Sequence, residues 1–141
     1  MMDNSNIITL FGEKFHFLHG LNYTDKQIFE DQSYAVGIVL KNPVNGLIFS
    51  FAYYKANKVS HTNSARILLK LSNNNNHIDF SRLFKKDGFF IKNCQYQYIM
   101  LNELDLNTLL SKIVDIIKEK YIKLFMGLEW IEINYDFRDD Y

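Results

Sequence analysis

The feature that most constrains the fold is the apolar stripe over residues 108–126, TLLSKIVDIIKEKYIKLFM. Leu109, Leu110, Ile113, Val114, Ile117, Tyr121, Leu124 and Phe125 recur at steps of three and four residues. That spacing predicts a helix from about Thr108 to Met126 with a single apolar face. Asn107 is a suitable residue to cap its start. Asp115 with Lys118 and Glu119 with Lys123 are surface pairs, worth about 0.2–0.5 kcal/mol each. These charges, with Lys112 and Lys120, also stop the segment from spanning a bilayer. A helix with one apolar stripe needs a second layer to cover it.

The rest of the chain supplies that layer, mostly as strands. Residues 35–42, AVGIVLKN, put Val36, Ile38 and Leu40 on one face. Asn42-Pro43-Val44-Asn45-Gly46 combines proline and Asn-Gly turn signals. Residues 47–55, LIFSFAYYK, then predict the returning strand of an antiparallel hairpin, with Leu47, Phe49, Phe51 and Tyr53 on one face. Both of its faces are largely apolar, so it belongs in the middle of the sheet. Residues 64–72, SARILLKLS, read as a strand with Ala65, Ile67, Leu69 and Leu71 inward and Arg66 and Lys70 outward. Asp79 is placed to cap a short helix with Phe80, Leu83 and Phe84 inward, and Gly88 to stop it. Residues 89–101 read as a long aromatic-rich strand.

Three further expectations concern the ends. Residues 7–11 and 14–19 read as two strands of a hairpin around Gly12-Glu13. Thr24 followed by Gln27 fits a capping box, which predicts a short helix from Asp25 to about Gln32. Residues 129–137 alternate as a strand: Ile131, Ile133, Tyr135 and Phe137 on one side, Trp130, Glu132, Asn134 and Asp136 on the other. The sum is an α+β fold. It is one two-layer domain over 1–141, with a mainly antiparallel sheet and the long C-terminal amphipathic helix packed on one face.

A chain of 141 residues with 48% hydrophobic and 16% aromatic side chains has ample apolar surface for one core. The lone Cys94 excludes an internal disulfide and favours a reducing compartment. The first residues, MMDNSNIITLF, lack the pattern of a secretory signal. A cytoplasmic protein without a membrane partner is expected.

Catalytic signatures are absent: no GxSxG elbow, no P-loop and no GxGxxG. His16 and His19, as strand residues, would face opposite ways and could not share an ion, so no metal or other cofactor is expected. Cys94 reads as a small buried hydrophobe. Glu132 and Asp136, four residues apart on a strand, are separated by roughly 13 Å, too far for one ion.

Charge is neutral overall but uneven. The last fifteen residues hold the only tryptophan, Trp130, with Glu129, Glu132, Asp136, Asp139 and Asp140 against Arg138. Tryptophan is enriched at interface hot spots, and carboxylates attract a basic partner. The expectation is therefore a non-enzymatic protein that binds another protein. Its best form is an immunity, antitoxin-like inhibitor that covers a basic toxin's active site through Trp130, Glu132, Asn134, Asp136, Asp139 and Asp140. This is analogy at the level of a class. Whether Trp130 is covered by its own chain stays open, and an exposed apolar patch would equally serve a homodimer. A small enzyme whose site is assembled from residues without a local signature is a third possibility, and the main alternative is a nucleic-acid or nucleotide binder. It would use Lys55, Lys58, Arg66 and Lys70 of the basic 55–92 region, with Tyr53, Tyr54, Phe89 and Phe90 interleaved.

Overall fold

Asp3 starts the first element. Its carboxylate accepts the Asn6 N–H at 2.9 Å and caps a helix, α1 (Asn4–Lys14). The computed structural model describes residues 3–31, 36–55, 65–89, 99–101 and 106–133. A 3₁₀ helix (His16–Leu21) follows α1 and ends at Asn22, whose φ of 77° turns the chain. Then come β1 (Asp25–Phe29), β2 (Val36–Lys41), β3 (Ile48–Tyr54), β4 (Ala65–Ser72) and β5 (His77–Asp79). After them lie α2 (Phe80–Lys86), β6 (Ile99–Leu101) and α3 (Leu106–Ile116). Helix α3 continues through a π-helical turn (Ile117–Tyr121) into α4 (Ile122–Phe125).

The strands form an antiparallel sheet in the order β1-β2-β3-β4-β5, with β6 also paired to β4. β3 lies between β2 and β4, as its two apolar faces require. Leu40 opposes Phe49, and Phe49 opposes Leu71, so one face carries Val36, Ile38, Leu40, Phe49, Phe51, Tyr53, Ile67, Leu69 and Leu71. All of these are buried. The helices pack on that face. Phe11 of α1 sits 4.9 Å from Phe51, and Phe80 and Phe125 sit 6.2 and 5.3 Å from Phe49, ring centre to ring centre. Phe49 is thus the hub where three helical segments meet the sheet. The α+β two-layer arrangement and the long C-terminal helix on one face are as the sequence implies.

Several local expectations fail. Residues 4–14 are helical, not the first strand of a hairpin. Ile7, Leu10, Phe11 and Phe15 all reach the core, and only a helical period lets them do so together. The capping-box segment is β1, not a helix. With Ile28 and Phe29 as its only apolar anchors it cannot bury a helical face. Pairing of Asp25–Phe29 with Lys41–Gly37 of β2 satisfies its backbone instead. Asn107 lies inside the helix, which begins at Leu106. Of the strand expected over 89–101, β6 is described and residues 90–98 lie outside the described residues.

The opposite sheet face carries half-buried Val39, Ile48, Ser50, Ala52, Tyr54, Arg66, Leu68 and Lys70. On the same face at β5, Asp79 pairs with Lys70 in register. Burial pushes the Asp79 carboxyl up, against His77, Lys70 and Arg82, which pull it down. Below the ordinary Asp range, both folded and unfolded chains hold the proton. From that range up to the raised folded value, the folded chain binds the proton more tightly, so stability falls as pH rises. Asp79→Asn is expected to remove that fall. Urea unfolding from pH 3.5 upward checks it, and an unchanged slope contradicts it.

Candidate partner-binding surface

The C-terminal end of the long helix is held by a small polar network. Asn42, 2% exposed, closes the β2–β3 turn. Its Oδ1 accepts the N–H groups of Val44 and Asn45 at 2.9 and 3.1 Å, and its Nδ2 donates to the Leu21 carbonyl at 2.9 Å. The turn thereby presents Asn45 to the helix end. The Phe125 carbonyl accepts from the Tyr23 hydroxyl at 2.8 Å and from Asn45 Nδ2 at 3.3 Å. Burial pushes the Tyr23 hydroxyl up, so it stays protonated and remains a donor. A helix-terminal carbonyl that would otherwise lack a partner is satisfied twice.

The chain leaves the helix through a Schellman cap. The Gly127 N–H donates to the Leu124 carbonyl at 3.1 Å, and the Leu128 N–H to the Lys123 carbonyl at 2.9 Å. Gly127 has φ of 74°, and a Cβ there would lie 3.2 Å from Asn45 Nδ2. The φ favours glycine, and a side chain there would also push Asn45 aside by a few tenths of an ångström. The Asn45–Gly127 contact therefore fixes where residues 128–133 begin.

Around this contact the surface changes character. Among the described residues, the exposed large apolar side chains are Ile28, Phe29, Val44, Met126 and Leu128. Val44, Met126 and Leu128 immediately flank Asn45 and Gly127 in the chain, and they are 75%, 46% and 67% exposed. Glu129 and Glu132, a few residues further, are exposed too. Residues 129–133 are irregular, not the strand that their alternation suggests. Trp130 does not stand apart from the hydrophobes. With Ile131 and Ile133 it is partly buried and packed against the core, while Glu132 points away. An irregular backbone escapes the strict two-residue period, so three apolar side chains reach inward within four positions. The Trp130 Nε1–H is buried and meets no acceptor among the described residues. An unmet buried donor costs about 1–3 kcal/mol. Asn134, Asp136, Asp139 and Asp140 lie outside the described residues. Sequence reasoning missed Val44, because only the Asn45–Gly127 contact ties the turn to the helix end.

The basic candidates are placed differently. Arg66 and Lys70 share the sheet face opposite the helices, and the Arg66 guanidinium lies 5.4 Å from the centre of the Tyr54 ring. Lys55 is half-buried just beyond β3, and Lys58 lies outside the described residues. Tyr53 is fully buried on the helix side and Phe89 packs against the core, so neither ring is a free platform. Phe90 and Cys94 lie outside the described residues.

His16 and His19 correct the sequence expectation. They belong to a 3₁₀ helix, where residues three apart eclipse. Their rings are parallel, with centres 6.1 Å apart. They therefore share a face, and line a cleft of about 190 Å³ with Phe11, Phe15, Lys26 and Leu40. Among the described residues, no three His, Cys or carboxylate side chains converge as a metal site would require. No helix among them is long and apolar enough to cross a membrane. No protein-family model, curated protein or solved structure matches the chain.

Proposed function

We propose that this chain is a non-enzymatic protein-binding protein of the cytoplasm. It docks a basic partner on the surface formed by Val44, Met126, Leu128, Glu129 and Glu132. In its most specific form it is an immunity protein that neutralises a toxin by covering a basic active site. The observation that carries the reading is that three exposed apolar side chains flank the Asn45–Gly127 contact in the chain, with two exposed carboxylates close behind them. An apolar centre with an acidic surround matches the anatomy of an interface for a cationic partner. Asn134, Asp136, Asp139 and Asp140 extend the acidic surround in this reading. Trp130 lies under the surface as its support. A shift of residues 129–133 on binding that gives its Nε1–H an acceptor would return the cost of the unmet donor.

The test is co-expression with the product of the gene adjacent to its own. That product should arrest growth alone and be neutralised by this chain. The double variant Leu128→Ser/Glu132→Lys should lose neutralisation, because both side chains are exposed and neither supports the core. A harmless neighbour, or one neutralised equally by the variant, ends the immunity reading. Trp130→Ala is a poor probe, since the ring packs on the core.

A second reading, a nucleic-acid or nucleotide binder, draws on the Arg66–Tyr54 pair with Lys70 on the sheet face opposite the helices. Flat rings and cations on one sheet face are how some single-strand readers work. Arg66→Glu/Lys70→Glu should then abolish binding to a single-stranded oligonucleotide that weakens steeply with salt. Wild type that fails to bind at low salt removes this reading.

A further inference from the structure

Strand β1 is the end of the sheet, and no strand pairs with its outer side among the described residues. All five of its residues are exposed, including Ile28 at 41% and Phe29 at 48%. An edge strand with unmet backbone groups and exposed apolar side chains is a template for another strand. Edge strands that must stay single usually carry charges that repel a like copy. Here the charges do the reverse. Lys26 and Ile28 oppose Leu40 and Ile38 of β2 in register, so they share the helix side of the sheet, and position 30 follows on that side. Two antiparallel copies related by a two-fold axis through Ile28 bring residue i opposite residue 56 − i. Ile28 then meets Ile28, and Lys26 meets Glu30 on both sides of the axis.

The neighbouring cleft agrees with this register. Lys26 lines it together with His16 and His19, and no carboxylate lines it among the described residues. Glu30 of a second copy, set opposite Lys26, arrives beside that basic group. On the other face Gln27 meets Phe29, and Asp25 meets Asp31 at the ends, where solvent screens them. Two-fold registers centred on Lys26 or Gln27 lack the Lys–Glu pairs: the first sets Lys26 against Lys26, the second Lys26 against Ile28.

We propose that a second copy of this chain pairs its β1 antiparallel with this one about Ile28, joining the two sheets edge to edge through an Ile28–Ile28 contact flanked by two Lys26–Glu30 pairs. The interface is isologous, as closed two-fold dimers are. It lies apart from Val44, Met126 and Leu128 in sequence and rests on different side chains, so it stands whether or not the partner-docking reading does.

Sedimentation velocity of the full chain over a range of concentrations tests it. Wild type should form a dimer. Lys26→Glu and Glu30→Lys should each weaken it at least about tenfold, since each turns two attractive cross-strand pairs into repulsive ones. The double variant Lys26→Glu/Glu30→Lys should dimerise as wild type does. Both substitutions are on exposed side chains, and circular dichroism confirms that each of the three variants is folded. A wild type that stays monomeric at every concentration overturns the proposal. A dimer that ignores the single reversals, or one that the double variant fails to restore, overturns it too.

Discussion

Phe49→Ala is expected to cost about 3–5 kcal/mol, the range for truncating a fully buried aromatic. Phe49 is 0% exposed, and its ring touches those of Phe15, Phe80 and Phe125 at 5.3, 6.2 and 5.3 Å between centres. Those rings come from the start of the chain, from α2 and from α4. No single neighbour can move to fill the space, because each is fixed by a different element. The cavity should therefore persist, and the melting temperature should drop by about 10 °C or more. Phe49→Leu keeps most of the volume and should lose far less. Thermal unfolding of the two variants side by side checks this. Equal, small losses would mean that Phe49 is not the junction of the layers.

Asn42→Ala should cost about 2–4 kcal/mol, although it removes no apolar contact area. The Asn42 side chain holds two turn N–H groups and the Leu21 carbonyl at once. Alanine leaves all three without that partner in a part-buried site. Asn45→Ala is the comparison. Asn45 donates to the Phe125 carbonyl at 3.3 Å, where Tyr23 also donates at 2.8 Å and remains, and its Oδ1 accepts a single N–H, that of Leu47, at 2.9 Å. Its loss should be about 1–2 kcal/mol. Chemical denaturation ranks the two, and a reversal of that order would show that the turn is held by something other than Asn42.

The long helix, the β2–β3 hairpin and β4 were legible because each carries its period over many positions. Ile113, Ile117, Tyr121 and Leu124 have no other way to be buried together, and neither do Ile67, Leu69 and Leu71. The two ends were not legible, because there local and tertiary signals compete. The β-branched run Ile7-Ile8-Thr9 favours a strand by propensity, yet Phe11 and Phe15 reach the sheet only from a helix. Thr24-Asp25-Lys26-Gln27 has the residues of a helix start, yet nothing after it can fill a helix's buried side, and β2 offers a strand partner. The Trp130 segment reads as a strand only if its backbone is extended. A Schellman cap at Gly127 sends it elsewhere, and Trp130 joins Ile131 and Ile133 on the core. The proposed docking surface was half legible. Its carboxylates stand in the sequence, but its apolar centre depends on Asn45 meeting Gly127 across 82 positions, which no local pattern records.

Under the proposed function, the surface around the Asn45–Gly127 contact binds a basic partner. Calorimetric titration of the product of the neighbouring gene into wild type and into Val44→Ser/Leu128→Ser/Glu132→Lys tests it most directly. Saturable binding to wild type is predicted, with affinity at least about a hundredfold weaker for the variant, a loss of roughly 2.7 kcal/mol. The variant's melting temperature should stay within a few degrees of wild type, since all three side chains are exposed. Equal affinity for both proteins would contradict the account.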